Sequence, residues 1–182
     1  RTMIEEILEP ENLSAAWKRV KRNKGAPGID GMTVEDFPAF KQEHWPRIAT
    51  AIREGNYRPA PVRRAWIPKP DGTMRPLGIP TVLDRLIQQA IAQVLGPLFE
   101  ADFSEHSHGY RPGRSALQAV VVMEEGWKEG RRHAVECDLK SFFDTVNHDR
   151  LMIALKEKVR CPRVLGLIRR YLMAGVELPD GT

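Results

Sequence analysis

Two cysteines in 182 residues, Cys137 and Cys161, are too few for a disulfide framework and point to reduced thiols in a cytosolic setting. No run of 18 apolar residues occurs, so no candidate membrane-spanning helix is present, and no signal peptide precedes the first helix. Internal repeats and low-complexity tracts are missing as well, which removes repeat architectures from consideration. No Asp-Asp dipeptide occurs, so no turn here presents two adjacent carboxylates. The chain opens on Arg1 rather than Met and stops at the turn sequence Pro179-Asp180-Gly181-Thr182, the expectation being a piece of something longer.

What is present is a length that can bury a core for one domain or one and a half. Lys and Arg total 28 against 24 Asp and Glu, a formal charge of +4, but the excess is uneven. From Trp17 to Arg75 thirteen basic residues stand against six acidic ones. A basic N-terminal half suggests a polyanionic partner.

Ser14 to Asn23 reads as a helix with Trp17 and Val20 on one side and Lys18, Arg19, Lys21 and Arg22 around the rest. The loop Gly25-Ala26-Pro27-Gly28-Ile29-Asp30-Gly31 follows, and its glycines can bring bare backbone N–H groups close to a phosphate. Thr33 is expected to start the next helix, with Asp36 at a capping-box position. Pro46 interrupts that pattern, and a second short helix runs to Glu54 before Gly55.

Two extended runs, Val62–Lys69 and Thr73–Ile79, flank Pro70-Asp71-Gly72. A two-residue Asp-Gly turn pairs Lys69 with Met74, whereas a three-residue loop with left-handed Gly72 pairs Lys69 with Thr73 and Ile67 with Arg75. Pro70 fits the first loop position, which selects the second register. One face then displays Arg63, Ala65, Ile67, Lys69, Thr73, Arg75, Leu77 and Ile79. Cations beside flat apolar side chains suit a phosphate chain and a base.

Thr81 N-caps a long helix with Asp84 at its capping-box position, and Leu83, Leu86, Ile87, Ala90, Ile91, Val94, Leu95 and Leu98 follow the helical period. His106 and His108 have metal-ligand spacing, but no further ligand pattern surrounds them. His108-Gly109-Tyr110-Arg111-Pro112-Gly113-Arg114-Ser115 leads into a helix from Ala116 to about Lys128. Arg111 and Arg114 either contact a nucleic-acid backbone or brace the Gly turn.

The organising stretch is Ala134 to Leu151. His133 to Leu139 reads as a short strand with Val135, Cys137 and Leu139 on one face and Glu136 and Asp138 on the other. Asp138 ends it. A carboxylate at the end of a buried strand needs a partner: a divalent ion is one, a backbone turn another. Asn147 caps a helix beginning at His148, and Pro162 opens the next, running over Val164 to Met173, with Gly175 after its end. Both helices are expected to pack under a sheet.

Asp-Leu-Lys-Ser-Phe-Phe-Asp followed by Asn-His-Asp closely resembles the first catalytic block of reverse transcriptases encoded by bacterial group II introns. Asn23-Lys-Gly-Ala-Pro-Gly-Ile-Asp-Gly31 resembles their N-terminal block, Ile67 to Pro80 their fingers hairpin, and His108 to Ser115 their second block. The resemblance implies an α+β fold: reverse-transcriptase fingers of helices plus a β-hairpin, then the first part of a right-hand polymerase palm. It divides the chain into an N-terminal helical extension with a template-contacting loop (1–60), fingers (61–130) and partial palm (131–182).

It also implies roles. Gly25, Ala26, Pro27 and Gly28 lie along the template, with Arg63, Arg111 and Arg114 as further nucleic-acid contacts. Lys69 and Arg75 hold the triphosphate of the incoming nucleotide, and Leu77 and Ile79 lie under the templating base. Phe143 sits under the sugar and excludes a 2′-hydroxyl, while Phe142 is assigned to the core. Asp138 and the Leu139 carbonyl ligate Mg²⁺, two ions being expected in the intact enzyme. Nucleotide addition is in-line phosphoryl transfer, with two ions stabilising the attacking and leaving oxygens, and such a site needs several carboxylates. Partners implied are an RNA template with a DNA primer, dNTP and intron RNA, with no membrane. The alternatives are a non-catalytic RNA-binding module acting in intron recognition and splicing, or a domesticated relative in DNA repair or phage defence.

Overall fold

The computed structural model describes residues 2–179, so Asp180-Gly181-Thr182 of the terminal turn lies outside the described residues. The chain forms two compact units: Arg1–Gly96 with His148–Thr182, and the inserted Pro97–Asn147. These are divisions by packing, whereas the partition at 60 and 130 is one by role.

The first unit is built on helices. α1 (Met3–Ile7) and α2 (Pro10–Asn23) begin it. α2 starts four residues earlier than its cationic stretch predicts because Pro10 takes the first turn, where its missing N–H is harmless, and Leu13 enters the core. Its Lys18, Arg19, Lys21 and Arg22 are exposed opposite buried Ala16 and Val20. α3 (Phe37–Glu54) runs unbroken through Pro46, against the expected two helices. Proline removes one backbone donor, a local loss that buried Phe37, Ile48, Ala49 and Ile52 offset by packing both halves into the same core. Thr33 and Asp36 do exchange bonds in the manner of a capping box, at 3.0 and 3.2 Å, but one turn ahead of the helix they were expected to start.

β1 (Val62–Pro68) and β2 (Met74–Ile79) form the hairpin, and β3 (Val176–Glu177) joins β1 in parallel, giving the order β2-β1-β3. Pro76 sits on β2, the edge strand, where a missing donor is tolerated. α4 (Val82–Glu100) carries Val82, Leu86, Ile87, Ala90, Ile91 and Leu95 into the core, each such side chain larger than Ala contributing about 1.5–3 kcal/mol. α7 (His148–Lys158) and α8 (Pro162–Leu172) begin where the sequence places them. They pack on each other, and α8 packs on α1 and α3.

The second unit holds α5 (Ala116–Lys128) and the single turn α6 (Phe142–Thr145). α5 has a complete capping box, with Gln118 N donating to Ser115 Oγ and Ser115 N to Gln118 Oε1. The strand expected over His133–Leu139 does not form: the segment is irregular and exposed. Strands exist by pairing, and among the described residues nothing lies alongside this one to complete a ladder.

Candidate functional site

The hairpin adopts the three-residue loop. Ile67 pairs with Arg75, Ala65 with Leu77 and Arg63 with Ile79, while Lys69 N donates to Thr73 O at 2.8 Å. Gly72 takes φ +82°, which a side chain would resist. Asp71 Oδ1 accepts from Thr73 N and Oγ1 at 2.9 and 2.6 Å, and these bonds hold its carboxyl below the usual carboxylate value. With that register, Lys69 and Arg75 share a face with Leu77 and Ile79. Neither cationic head engages an acceptor among the described residues. Two positive charges are thus left facing solvent on a stiff ribbon.

Arg63 behaves differently. It is half-buried, and its Nε and Nη2 both donate to Pro27 O, at 3.0 and 2.8 Å. Arg85 Nη2 donates to Ala26 O at 2.9 Å, so two arginines hold the Gly25–Gly28 loop by its carbonyls. Beneath them lies a polar hub that the sequence showed only as a helix cap. Asp84 is buried, and its carboxylate accepts from Tyr57 Oη (2.7 Å), Tyr171 Oη (3.0 Å), Thr81 Oγ1 (2.8 Å) and Ala60 N (3.2 Å). Burial first, then the Asp84 charge, pushes both tyrosine hydroxyls far above their usual values. The Thr81–Asp84 pairing was legible in the spacing; the tyrosines, 27 and 87 positions away, gave no local signal.

In the second unit Arg111 is committed. It pairs with Glu100 at 2.8 Å, donates to the Ser104 and Ser107 carbonyls at 2.6 and 2.9 Å, and lies 5.4 Å from the Phe103 ring centre. These bonds tie Arg111 to the 100–107 stretch that precedes the Gly turn. Arg114 makes one such bond, to Glu105 O at 3.1 Å. Both nitrogens of His108 are buried without a partner, and His106 is exposed.

Asp138 stands on the irregular 133–139 segment rather than at the end of a buried strand. Its carboxylate is exposed and unpartnered among the described residues, and Leu139 is exposed beside it. Phe143 is 87 % exposed and Phe142 49 %, their rings 5.6 Å apart edge to face, so Phe142 is the less exposed of the pair without being core. The Asp138 carboxylate and Leu139 carbonyl are oxygen donors of the type hard divalent ions take. Among the described residues no group of three or more His, Cys, Asp and Glu side chains converges, so these two form part of a donor set and not a closed site. Also among them, no helix is long and apolar enough to cross a membrane.

Residues 67–181 match the family described as reverse transcriptase (RNA-dependent DNA polymerase). The chain is 37% identical over 175 residues to protein YkfC of Escherichia coli, covering 93% of itself and 46% of that protein. It is 35% identical over 170 residues to the group II intron-encoded protein LtrA of Lactococcus lactis, again covering 93% of itself but 28% of the relative. It therefore spans less than half the length of either. A chain of a solved partial Cas6-RT-Cas1–Cas2 complex has the same fold over 94% of this chain and 28% of that chain, with a TM-score of 0.59 at 22% identity. The mixed α+β architecture with its small three-stranded sheet and the family match across more than half the chain agree: this chain belongs to the reverse transcriptase (RNA-dependent DNA polymerase) family.

Proposed function

We propose that the intact protein is an RNA-directed DNA polymerase that extends a DNA primer on an RNA template. The observation that most supports this reading is the hairpin, whose register leaves Lys69 and Arg75 unengaged on the face shared with Leu77 and Ile79. Lys is a compact point charge and Arg a planar fork, and together they suit the localised charge of a triphosphate. Leu77 and Ile79 offer a flat apolar surface to a templating base. Phe143, exposed on its short helical turn, is free to lie under a deoxyribose and crowd out a 2′-hydroxyl. Asp138 and the Leu139 carbonyl would hold part of a Mg²⁺ pair, with further carboxylates from elsewhere in the full protein. When bound, such ions stabilise the charge that develops on the attacking and leaving oxygens. The exposed cations of α2 supply attraction to the nucleic-acid backbone that does not depend on sequence.

The test is primer extension on an RNA template with dNTP and Mg²⁺. The intact protein extends, and residues 1–182 alone, with one of the expected carboxylates, do not. Incorporation by the 182-residue piece would overturn this account of the site. The same α2 face also favours a second reading, an RNA-binding module without chemistry, and a full-length protein that binds RNA but never extends a primer would establish it.

A further inference from the structure

Two carbonyls of the Gly25–Gly28 loop are held by arginines. Pro27 O receives both Nε and Nη2 of Arg63 on β1, and Ala26 O receives Nη2 of Arg85 on α4. On the loop's other side, buried Gly28 lies flat against the start of α4. A methyl group there would come within 2.7 Å of Thr81 Cα and N and 2.9 Å of the Pro80 carbonyl carbon, all backbone atoms that cannot swing aside. Asp84 in turn ties the two elements that hold the loop, accepting from Ala60 N just ahead of β1 and from Thr81 Oγ1 at the head of α4.

We propose that Arg63 is a positioning residue. Its guanidinium sets the Gly25–Gly28 loop against the base of the hairpin, and so sets the path of single-stranded nucleic acid along that loop, without itself contacting a phosphate. This rests on the reading that the loop lies along a template. The contrast within one hairpin carries the proposal: Lys69 and Arg75 have unengaged heads, whereas Arg63 is half-buried with two donors spent on one carbonyl. Turning that guanidinium toward a phosphate would strip Pro27 O of both donors and release the loop from β1. The loop and the hairpin therefore act as one template-shaped surface, fixed before any ligand arrives.

Salt dependence separates positioning from contact. A side chain that neutralises a phosphate contributes about 0.7–0.9 to the slope of log affinity against log salt; one that shapes the backbone contributes to affinity alone. The experiment measures binding of the full-length protein, without dNTP, to an RNA template with a 5′ overhang annealed to a DNA primer, across a KCl series. Arg63→Gln should lower affinity about tenfold, the scale of a lost charge-assisted hydrogen bond, with the slope unchanged. Arg63→Lys, which keeps the charge but not the fork, should behave the same way. Gly28→Ala, which changes no charge, should weaken binding at unchanged slope. Arg19→Gln on the exposed α2 face should instead flatten the slope, with its loss of affinity largest at low salt and fading as salt rises. A fall in slope of about 0.7 in Arg63→Gln that Arg63→Lys restores would overturn the proposal. Should Arg63→Gln fail to fold, Arg63→Lys decides alone, and unchanged affinity in it is fatal. A wild-type protein that bound no primer–template would instead remove the template reading itself, an outcome no slope could imitate.

Discussion

α4 and α5 start from the same grammar and end in opposite environments. Each begins with a polar pair three residues apart, Thr81 exchanging bonds with Asp84 in one and Ser115 with Gln118 in a full capping box in the other, and each carries apolar residues at helical spacing. Yet α4 buries Val82, Leu86, Ile87, Ala90, Ile91 and Leu95, whereas α5 leaves Leu117, Val120, Val121, Met123 and Trp127 exposed. The contrast extends to the units: no residue of Pro97–Asn147 is buried, while the remainder of the chain has a continuous core. Caps and periodicity decide where a helix forms, because they act within a turn or two. Burial depends on what is packed alongside, and that information is distributed over the chain.

The comparison predicts a division of labour between core and site, and the sharpest test is chemical. Asp138→Ala in the intact protein should cut primer extension about a thousandfold or more, the scale of several kcal/mol of lost transition-state stabilisation, with melting temperature and RNA binding unchanged. A drop in melting temperature of equal weight would make Asp138 a structural residue. Next come paired truncations followed by denaturant unfolding. Leu86→Ala, at a fully buried site, should cost about 2–5 kcal/mol, and Val121→Ala on α5 no more than about 0.5 kcal/mol. Equal costs would erase the distinction between the two helices.

Arg75→Ala should then raise the apparent KM for dNTP about tenfold, leaving primer–template affinity without nucleotide unchanged, since other cations hold that backbone. The opposite pattern would make the hairpin a duplex clamp. Smallest is the alkaline limb of stability. Tyr57 and Tyr171 keep their protons in the folded state well above 10.0, the value from which both are raised, so their contribution is complete below that pH. Above it the unfolded chain loses protons that the folded chain retains, and stability falls. Tyr171→Phe should flatten that decline. An identical profile would mean the hydroxyl is not held as described.

The hairpin register was readable because Pro70-Asp71-Gly72 encodes its turn in three adjacent residues, and the middle of the α4 core face because its period holds from Leu86 to Leu95; Leu98, placed on that face by the same period, is exposed. The continuity of α3 through Pro46 was not, since the proline signal is local and the packing that overrides it is not. The 133–139 strand failed for the same reason in reverse: alternation describes a strand's faces but supplies no neighbour. Side-chain commitments were the least legible part. Arg63, Lys69, Arg75 and Arg111 look alike as letters, and only their surroundings show that two are engaged and two are not.

α8 closes the first unit from the far end of the chain. Its Arg170 donates to Gly55 O across 115 positions and its Tyr171 to Asp84 across 87, with the whole inserted unit lying between in sequence. Such long-range closure makes folding slow, because the entropy of a large loop is lost before those contacts form. During synthesis the order is fixed by the ribosome. A nascent chain halted short of α8 has made Asp84, Tyr57 and the hairpin but lacks Tyr171, so the buried carboxylate waits with one hydroxyl donor missing. The base of the hairpin is therefore completed late, only after the segment carrying Asp138 has already emerged.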